Sequence, residues 1–320
     1  MSRIIVTGAT GFLGARVARY LLTQGHEVLG WYLTEPRRGN VEFPGEIALE
    51  RVDVTNAHQV TNSVEKFRPE AVYHFAGQAY VVPSWRDPAA TFDVNLLGTL
   101  HLLEALRRHV PRCAVGFAGS GTEYGDAEQV PTPEDAPLLP TSPYATSKVA
   151  ADLLCYQYFR SHGLPTFRYR IFGTTGVGKL GDVCNDFASQ IARAEVGDGV
   201  IRVGDLTKRR DIMDVRDAVV AMERIVTRGE PGGVYNIGSG VAPPISDILD
   251  QLKAMAHAPI SVVADPTRHR LVDEPVHLGD TRRVRGLGWV PSIPMSQTLR
   301  DILESWRQQQ TRLAAVADTH

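Results

Sequence analysis

The stretch RIIVTGATGFLGARVARYLLTQG, residues 3–25, decides how the chain folds. RIIVTG (3–8) is a β-branched run suited to a buried strand. FLGARVARYLLTQG (12–25) has apolar residues at helical spacing and closes on Gly25, a residue suited to end a helix. Between the two, Gly8, Gly11 and Gly14 fall at GxxGxxG. A strand, a glycine turn and a helix N-terminus in that order let backbone approach a pyrophosphate, while the helix end supplies amide donors and a positive dipole end. A glycine triplet alone is weak evidence. In this context it predicts a dinucleotide site, with Phe12 and Leu13 opening the helix beside it.

The pattern repeats outward from that unit. HEVLGWYL (26–33), IALERVDV (47–54), AVYHFAG (71–77), RCAVGFAGS (112–120) and TFRYRIFG (166–173) read as strands. AHQVTNSVEKFR (57–68), NLLGTLHLLEALRRH (95–109) and SPYATSKVAADLLCYQYFRSHG (142–163) read as the helices between them. Strands alternating with helices imply βαβ units and an α/β fold with a parallel sheet covered on both faces. After residue 173, glycine- and proline-rich loops separate shorter elements. Helices are predicted at 186–195, 245–256 and 296–310, with a frayed tail to His320. The expected organisation is a nucleotide-binding domain over 1–173, with chain returns from the second half, and a smaller substrate lobe made mainly by 174–320.

Composition narrows the function. The 320 residues carry a net charge of -2, which argues against a nucleic-acid partner or an anionic membrane surface. No apolar run approaches the roughly 20 residues that span a bilayer. Cys113, Cys155 and Cys184 are widely spaced, which fits a reducing compartment rather than a disulfide framework. The histidines show no metal-ligand spacing, so no metal is expected. A cytoplasmic enzyme without a leader peptide is expected, because Arg3 already opens the first strand.

Cofactor choice turns on the end of the second strand, where an acidic residue would take the ribose hydroxyls of NAD. That strand ends GWYL, with Tyr32 near the expected position and no carboxylate before Glu35. Arg37 and Arg38 follow, placed either to hold a 2′-phosphate or to sit solvated in a loop. NADP is favoured, with NAD as the alternative. Asp53 either accepts from an adenine amino group or opens a surface helix. Val54, Phe75 and Ala76, at strand ends, complete the expected cofactor contacts.

SPYATSK places Tyr144 and Lys148 four residues apart on one helix face. An ammonium there lowers the phenol's pKa and can hold a nicotinamide ribose, while the phenol shuttles a proton to or from an alcohol oxygen. GSGTEYG (119–125) supplies Ser120, placed to bind the same oxygen, and beside it Thr122 and Glu123.

With TGATGFLG, HFAGQ (74–78), DVNLLGT (93–99), GSGTEYG, SPYATSK, KRRDIMDVRD (208–217) and YNIGSG (235–240), nearly the whole chain resembles the extended short-chain dehydrogenase/reductase family. QAYVVPSW (78–85), NDFASQIA (185–192), VGDLTKRRDIMDVRD (203–217) and HRLVDEPVHLGDTRRV (269–284) are similar to the branch acting on GDP-linked 4-keto-6-deoxy hexoses. The resemblance implies a Rossmann-type doubly wound sheet and a catalytic Ser120, Tyr144 and Lys148. It implies diphosphate contacts from Arg210 and Arg270, although Leu271 and Asp273 stand where relatives carry proline and glutamate. It also implies a homodimer through paired helices near 95–109 and 145–160. Ser84, with Tyr80 and Trp85, either lines the sugar pocket or packs a strand end. Asn185, Phe187 and Asn236 are placed near the nucleotide base. Gly173 replaces an asparagine that often contacts substrate.

Three reactions share such a scaffold. Dehydration needs a base for the C5 proton and an acid for the departing hydroxyl. The resemblance implies that dehydrating relatives carry a carboxylate for this chemistry three residues before the last glycine of the GSGTEYG motif, where this chain has Thr122. If the strand continued, Glu123 would face away from Thr122. A 4-epimerase needs a retained NAD. A 4-ketoreductase needs only the triad and an exchangeable cofactor, so reduction of GDP-4-keto-6-deoxy-D-mannose to a product such as GDP-rhamnose is the expected activity. A dehydratase, an epimerase and a non-catalytic nucleotide-sugar sensor are the alternatives.

Overall fold

The computed structural model describes residues 1–35, 47–268 and 274–317. Seven strands form the central sheet: β1 (Arg3–Thr7), β2 (Glu27–Tyr32), β3 (Ala48–Arg51), β4 (Ala71–His74), β5 (Ala114–Ser120), β6 (Thr166–Ile171) and β7 (Val234–Ile237). They lie in the order β7-β6-β5-β4-β1-β2-β3, and every neighbouring pair is parallel. The predicted Rossmann-type α/β architecture is therefore present. Strand β7, unmarked by any strand pattern in the sequence reading, completes it from the second half of the chain. Because β1 pairs with both β2 and β4, the strand order reverses beside β1. The carboxyl ends of β1 and β4 open a crevice there, the usual ligand position in such sheets.

Alternation along the strands divides the core. Ile4 and Val6 join Tyr73 and Tyr169 beneath α1 (Phe12–Thr23) and the later helix at Val215–Arg228. Ile5, Val72, Val115 and Phe117 face α2 (Ala57–Phe67), α3 (Gly98–His109) and α4 (Pro143–His162). Both faces of the sheet are thus apolar, which is why its strands read as nearly unbroken hydrophobic runs. Helix α4 begins where the Ser142 hydroxyl accepts from the Ala145 amide at 3.2 Å, with Pro143 as its first residue, and ends on Gly163 at φ +68°. Regular α3 starts at Gly98 rather than at 95, because Asp93–Leu97 form a π-turn in which Asn95 bonds Gln78 and Ser147.

The helix over the first face is α6 (Val215–Arg228), and a third apolar cluster joins α5 (Val183–Ala194), α7 (Ile245–Ala254) and α8 (Met295–Ala317). Its centre is Phe187, Ile191, Leu252, Leu299 and Leu303. Helix α8 runs to Ala317, past its expected end at 310. Three short parallel strand pairs escaped the sequence reading. Thr174–Thr175 pairs with Met213–Asp214, Val200–Val203 with Ser261–Ala264, and Arg209–Arg210 with Val276–His277. Among the described residues, no helix is long and apolar enough to cross a membrane.

The glycine turn is sterically closed. A Cβ on Gly14 would stand 2.2 Å from the Gly8 carbonyl oxygen, which is backbone and cannot yield. Gly14→Ala is therefore expected to cost about 1–3 kcal/mol, as overpacking of a close contact does, read as a lower urea midpoint at unchanged slope.

Candidate active site

The turn between β1 and α1 fits an anionic diphosphate. Gly8 has φ +64°, and a Cβ there would lie 3.0 Å from the Ala76 amide nitrogen and 3.1 Å from the Phe75 carbonyl carbon. The ends of β1 and β4 therefore touch through backbone alone. Thr7 holds them: its hydroxyl accepts from the Phe75 amide at 3.0 Å and the Ala76 amide at 2.9 Å. No side chain caps α1 at Gly11, and its first turn contains no acidic residue. The helix end thus keeps free amides and its positive dipole, with Phe12 and Leu13 half-buried in that turn. Asp53 accepts from the Thr55 amide at 2.9 Å and hydroxyl at 2.7 Å in a turn just ahead of α2, which Asn56 caps. Val54 is a correction. Its side chain is buried in the core against α3, so only its backbone is left to meet a cofactor. Arg37 lies outside the described residues.

The catalytic candidates gather at the end of β5. Ser120 is its last residue, and its hydroxyl lies 2.9 Å from that of Thr122. Tyr144, on the first turn of α4, shares a hydrogen bond with the Ser120 side chain. Burial pushes the phenol up to about 12, and the Ser120 bond pulls it down. One turn further, Lys148 donates to the Ala118 carbonyl at 2.9 Å, and burial lowers it to about 8. The expected lowering of Tyr144 by the ammonium is absent, because Lys148 is turned to the strand and burial dominates the phenol. Tyr144 is consequently a protonated donor across the neutral range. Gly77 links this group to the glycine turn, since a Cβ there would lie 3.6 Å from the Lys148 Nζ.

Beneath Ser120 lies a buried charge network. A 3-10 turn, Gly121–Tyr124, breaks the strand alternation and turns Glu123 inward. Its carboxylate accepts from the Ser120 amide at 2.7 Å and from Arg170 Nε at 3.0 Å. Arg170, on β6, also donates to Asp152 on α4 at 3.2 Å and 3.3 Å, to the Tyr124 hydroxyl at 3.0 Å and to the Glu134 carbonyl at 3.1 Å. Asp152 accepts from Arg168 as well, at 2.6 Å. Burial and the Asp152 charge raise the Glu123 carboxyl above its ordinary range, while Arg170 and the Ser120 amide oppose the shift. Among the described residues, no cluster of His, Cys, Asp and Glu is arranged to hold a metal ion.

The comparisons agree with this geometry. The family described as GDP-mannose 4,6 dehydratase matches residues 5–302. The chain belongs to that family, within the extended short-chain dehydrogenases/reductases. A GDP-6-deoxy-D-mannose reductase of Pseudomonas aeruginosa is 35% identical over 327 residues, covering 96% of this chain and 98% of the relative. The solved structure of RMD from Pseudomonas aeruginosa complexed with NADPH superposes with a TM-score of 0.83 at 32% identity, over 97% of this chain and 100% of that one. A UDP-glucose 4-epimerase of Thermotoga maritima with UDP-glucose gives 0.88 at 26% identity, over 96% and 99%. Family members with different reactions thus share one scaffold, and the reaction must be read from side chains.

Several residues expected at the substrate are buried with partners of their own. Ser84 is fully buried in a short helix, its hydroxyl donating to the Val81 carbonyl at 2.6 Å. Glu123 is fully buried in the network above. Asn185 is buried, donating to Asp182 and the Gly176 carbonyl at 3.1 Å each and accepting from Trp306. Phe187 belongs to the third core, and Asn236 accepts from Tyr124 at 2.7 Å. Thr122 remains half-buried beside Ser120, and Arg210 is half-buried in the strand paired with Val276–His277. Arg270 lies outside the described residues. A Cβ on Gly173 would stand 2.4 Å from the Asp211 carbonyl oxygen, so this position has no room for an asparagine without a backbone shift. Asp152 and Arg170 were missed, although both stand in motifs already quoted or adjoining them. Their role depends on contacts between distant segments.

Removing Arg170 tests the network. Arg170→Met takes the guanidinium from the buried Glu123 carboxylate, while Asp152 keeps Arg168, and is expected to cost about 3–5 kcal/mol at neutral pH. A stranded carboxyl has a raised folded-state pKa, so it favours the fold at low pH, and that contribution is lost as pH rises above the ordinary glutamate value of 4.5. Urea unfolding across a pH series should show the deficit growing from that point towards neutrality.

Proposed function

We propose that the chain is an NADPH-dependent reductase of the C4 keto group of a nucleotide-linked 4-keto-6-deoxy hexose, converting GDP-4-keto-6-deoxy-D-mannose to GDP-D-rhamnose. The observation that carries this reading is the side chain at the mouth of the β5 turn. Thr122 lies against Ser120, and the neighbouring carboxylate, Glu123, is turned inward to Arg170. Dehydration needs a base at C5 and an acid for the leaving hydroxyl, and an unactivated threonine serves neither. Reduction needs, besides the hydride that the cofactor would supply to C4, only a proton for the C4 oxygen. The names of the Pseudomonas aeruginosa relatives, a reductase and a complex with NADPH, support it.

In this reading the Gly8–Gly14 turn binds the cofactor diphosphate and Lys148 holds the nicotinamide ribose. Arg37 binds the 2′-phosphate and Asp53 the adenine. Phe75 and Ala76 supply backbone beside the diphosphate. The bound cofactor supplies hydride to C4. Ser120 donates to the C4 oxygen and fixes its position, and Tyr144 delivers the proton that completes the alcohol. Arg210 and Arg270 clamp the substrate diphosphate, for which a guanidinium offers paired donors. Cofactor binding is assigned to 1–173 and substrate binding mainly to 174–320. A cytoplasmic homodimer completes the reading, supported by Leu97, Leu153 and Tyr156, apolar side chains left exposed on or next to α3 and α4.

The test is loss of nicotinamide absorbance when purified protein and NADPH receive the product of a GDP-mannose dehydratase. NADPH is expected to exceed NADH in kcat/KM. No absorbance loss, together with water elimination from GDP-mannose itself, would replace the reductase with a dehydratase. Tyr144→Phe is expected to lower kcat by about 100-fold or more with KM little changed, since it removes only the proton donor.

The pH profile follows from Lys148. Its folded value is depressed to about 8, so the ammonium is present below that pH and lost above it. Activity is expected to fall as pH rises through about 8. In Lys148→Arg, whose guanidinium keeps its proton, the residual activity should lack that alkaline limb.

A further inference from the structure

We propose that Glu123 is a positioning residue for this reaction, a buried carboxylate that keeps Lys148 an ammonium while fixing Ser120 through its amide. The proposal rests on the catalytic reading of Lys148 above and adds a residue that does not touch substrate.

The Lys148 ammonium is buried, and its hydrogen bond is to a neutral acceptor, the Ala118 carbonyl at 2.9 Å. The Phe117 ring lies 5.2 Å from it. An ammonium so placed is costly unless a counter-charge faces it. The groups around it narrow the choice. On β4, His74 is held neutral, lowered to about 3 by burial and then by Lys148 itself. On α4, burial keeps the Tyr144 phenol and the Cys155 thiol protonated at neutral pH. Asp152, one turn beyond Lys148, is engaged by Arg168 and Arg170. Glu123 is the remaining carboxyl group; burial and Asp152 raise it to about 8, while Arg170, the Ser120 amide and Lys148 pull it back towards the ionised form. Against the lowering by burial, its charge is the main influence that raises Lys148, and Lys148 in turn lowers Glu123.

The placement of Glu123 is fixed by geometry. Ala118, which receives the ammonium, and Ser120, whose amide binds Glu123, are alternate residues at the end of β5. Gly119 lies between them, and a Cβ there would stand 2.5 Å from the Glu123 carboxylate, so the carboxylate lies directly on the strand. Both of its oxygens accept from donors that cannot accept in return, a backbone amide and a guanidinium, which is the pattern of an ionised carboxylate.

The test reads Lys148 without turnover. Carbon-13 lysine is introduced into the full chain, whose lysines are Lys66, Lys148, Lys179, Lys208 and Lys253, and the Lys148 resonance is identified by its loss in Lys148→Arg. Its titration midpoint should lie near 8 in the native chain and fall by about one unit in Glu123→Gln. Glu123→Asp keeps the charge and should keep the midpoint within a few tenths of a unit, which covers the case in which the glutamine variant fails to fold. Asp152→Asn weakens the same network but should not lower the midpoint. In the reduction assay, the alkaline limb of Glu123→Gln should move down with the resonance. The proposal fails if Lys148 titrates alike in the native chain and Glu123→Gln. It also fails if Asp152→Asn lowers the midpoint equally, which would make the effect a general loosening. A shifted resonance in a native chain that reduces nothing would instead overturn the proposed function and leave the pairing standing.

Discussion

Arg170 is the constraint on which the site depends. It stands on β6 and binds two buried carboxylates from different elements, Glu123 after β5 and Asp152 on α4. Three segments that meet only in the folded chain are thereby set at fixed separations. Two of them carry the candidate reacting groups, Ser120 on the strand end and Tyr144 and Lys148 on the helix. A buried ion pair contributes little net stability against an apolar replacement, because desolvation offsets most of its Coulomb energy. Its effect here is geometric. An apolar contact tolerates sliding, whereas a guanidinium bound on several edges does not.

The position of the network follows from the sheet. Parallel strands end together, so β1, β4, β5 and β6 deliver Thr7, His74, Ser120 and Ile171 to one edge. Thr7 ties the ends of β1 and β4, and Glu123 ties the turn after β5 back onto its own strand. Gly8, Gly77 and Gly119 lie along that edge, and at each a Cβ would meet a neighbouring segment or a buried side chain at 3.0 Å or less. The crevice is therefore lined by backbone approached closely from both sides, which suits a flat, anionic cofactor.

Much of this was legible in the sequence because it is local. Strand–turn–helix order, the glycine spacing and the four-residue separation of Tyr144 and Lys148 depend on short-range periodicity, and the predicted strands and helices up to residue 173 lie within a few residues of their expected spans. What was illegible is long-range. Residues 235–240 were recognised by resemblance, yet nothing in their composition said that β7 would join the sheet beside β6. Asn185 has the chemistry of a ligand contact, but its carboxamide oxygen is met by Trp306, which only folding brings beside it. Burial of the lysine and phenol also set their proton affinities against the sequence expectation, since spacing gives a distance and not a dielectric.

Glu123 shows most clearly why placement outweighs residue type. Read as an extended strand, GSGTEYG would put Thr122 and Glu123 on opposite faces by simple alternation. The 3-10 turn removes alternation as the cause, yet the outcome survives for a different reason. The carboxylate is drawn inward by the Ser120 amide and Arg170, both stronger partners for a charge than a half-exposed cleft lined by hydroxyls. A carboxylate committed in that way cannot abstract a proton from a sugar carbon, because moving it outward would abandon an arginine in the core. The same commitment places the carboxyl group beside Lys148 at the end of β5. One residue thus withholds base chemistry from the substrate and supports the proton-donating set, which is the division of labour that a ketone reductase requires.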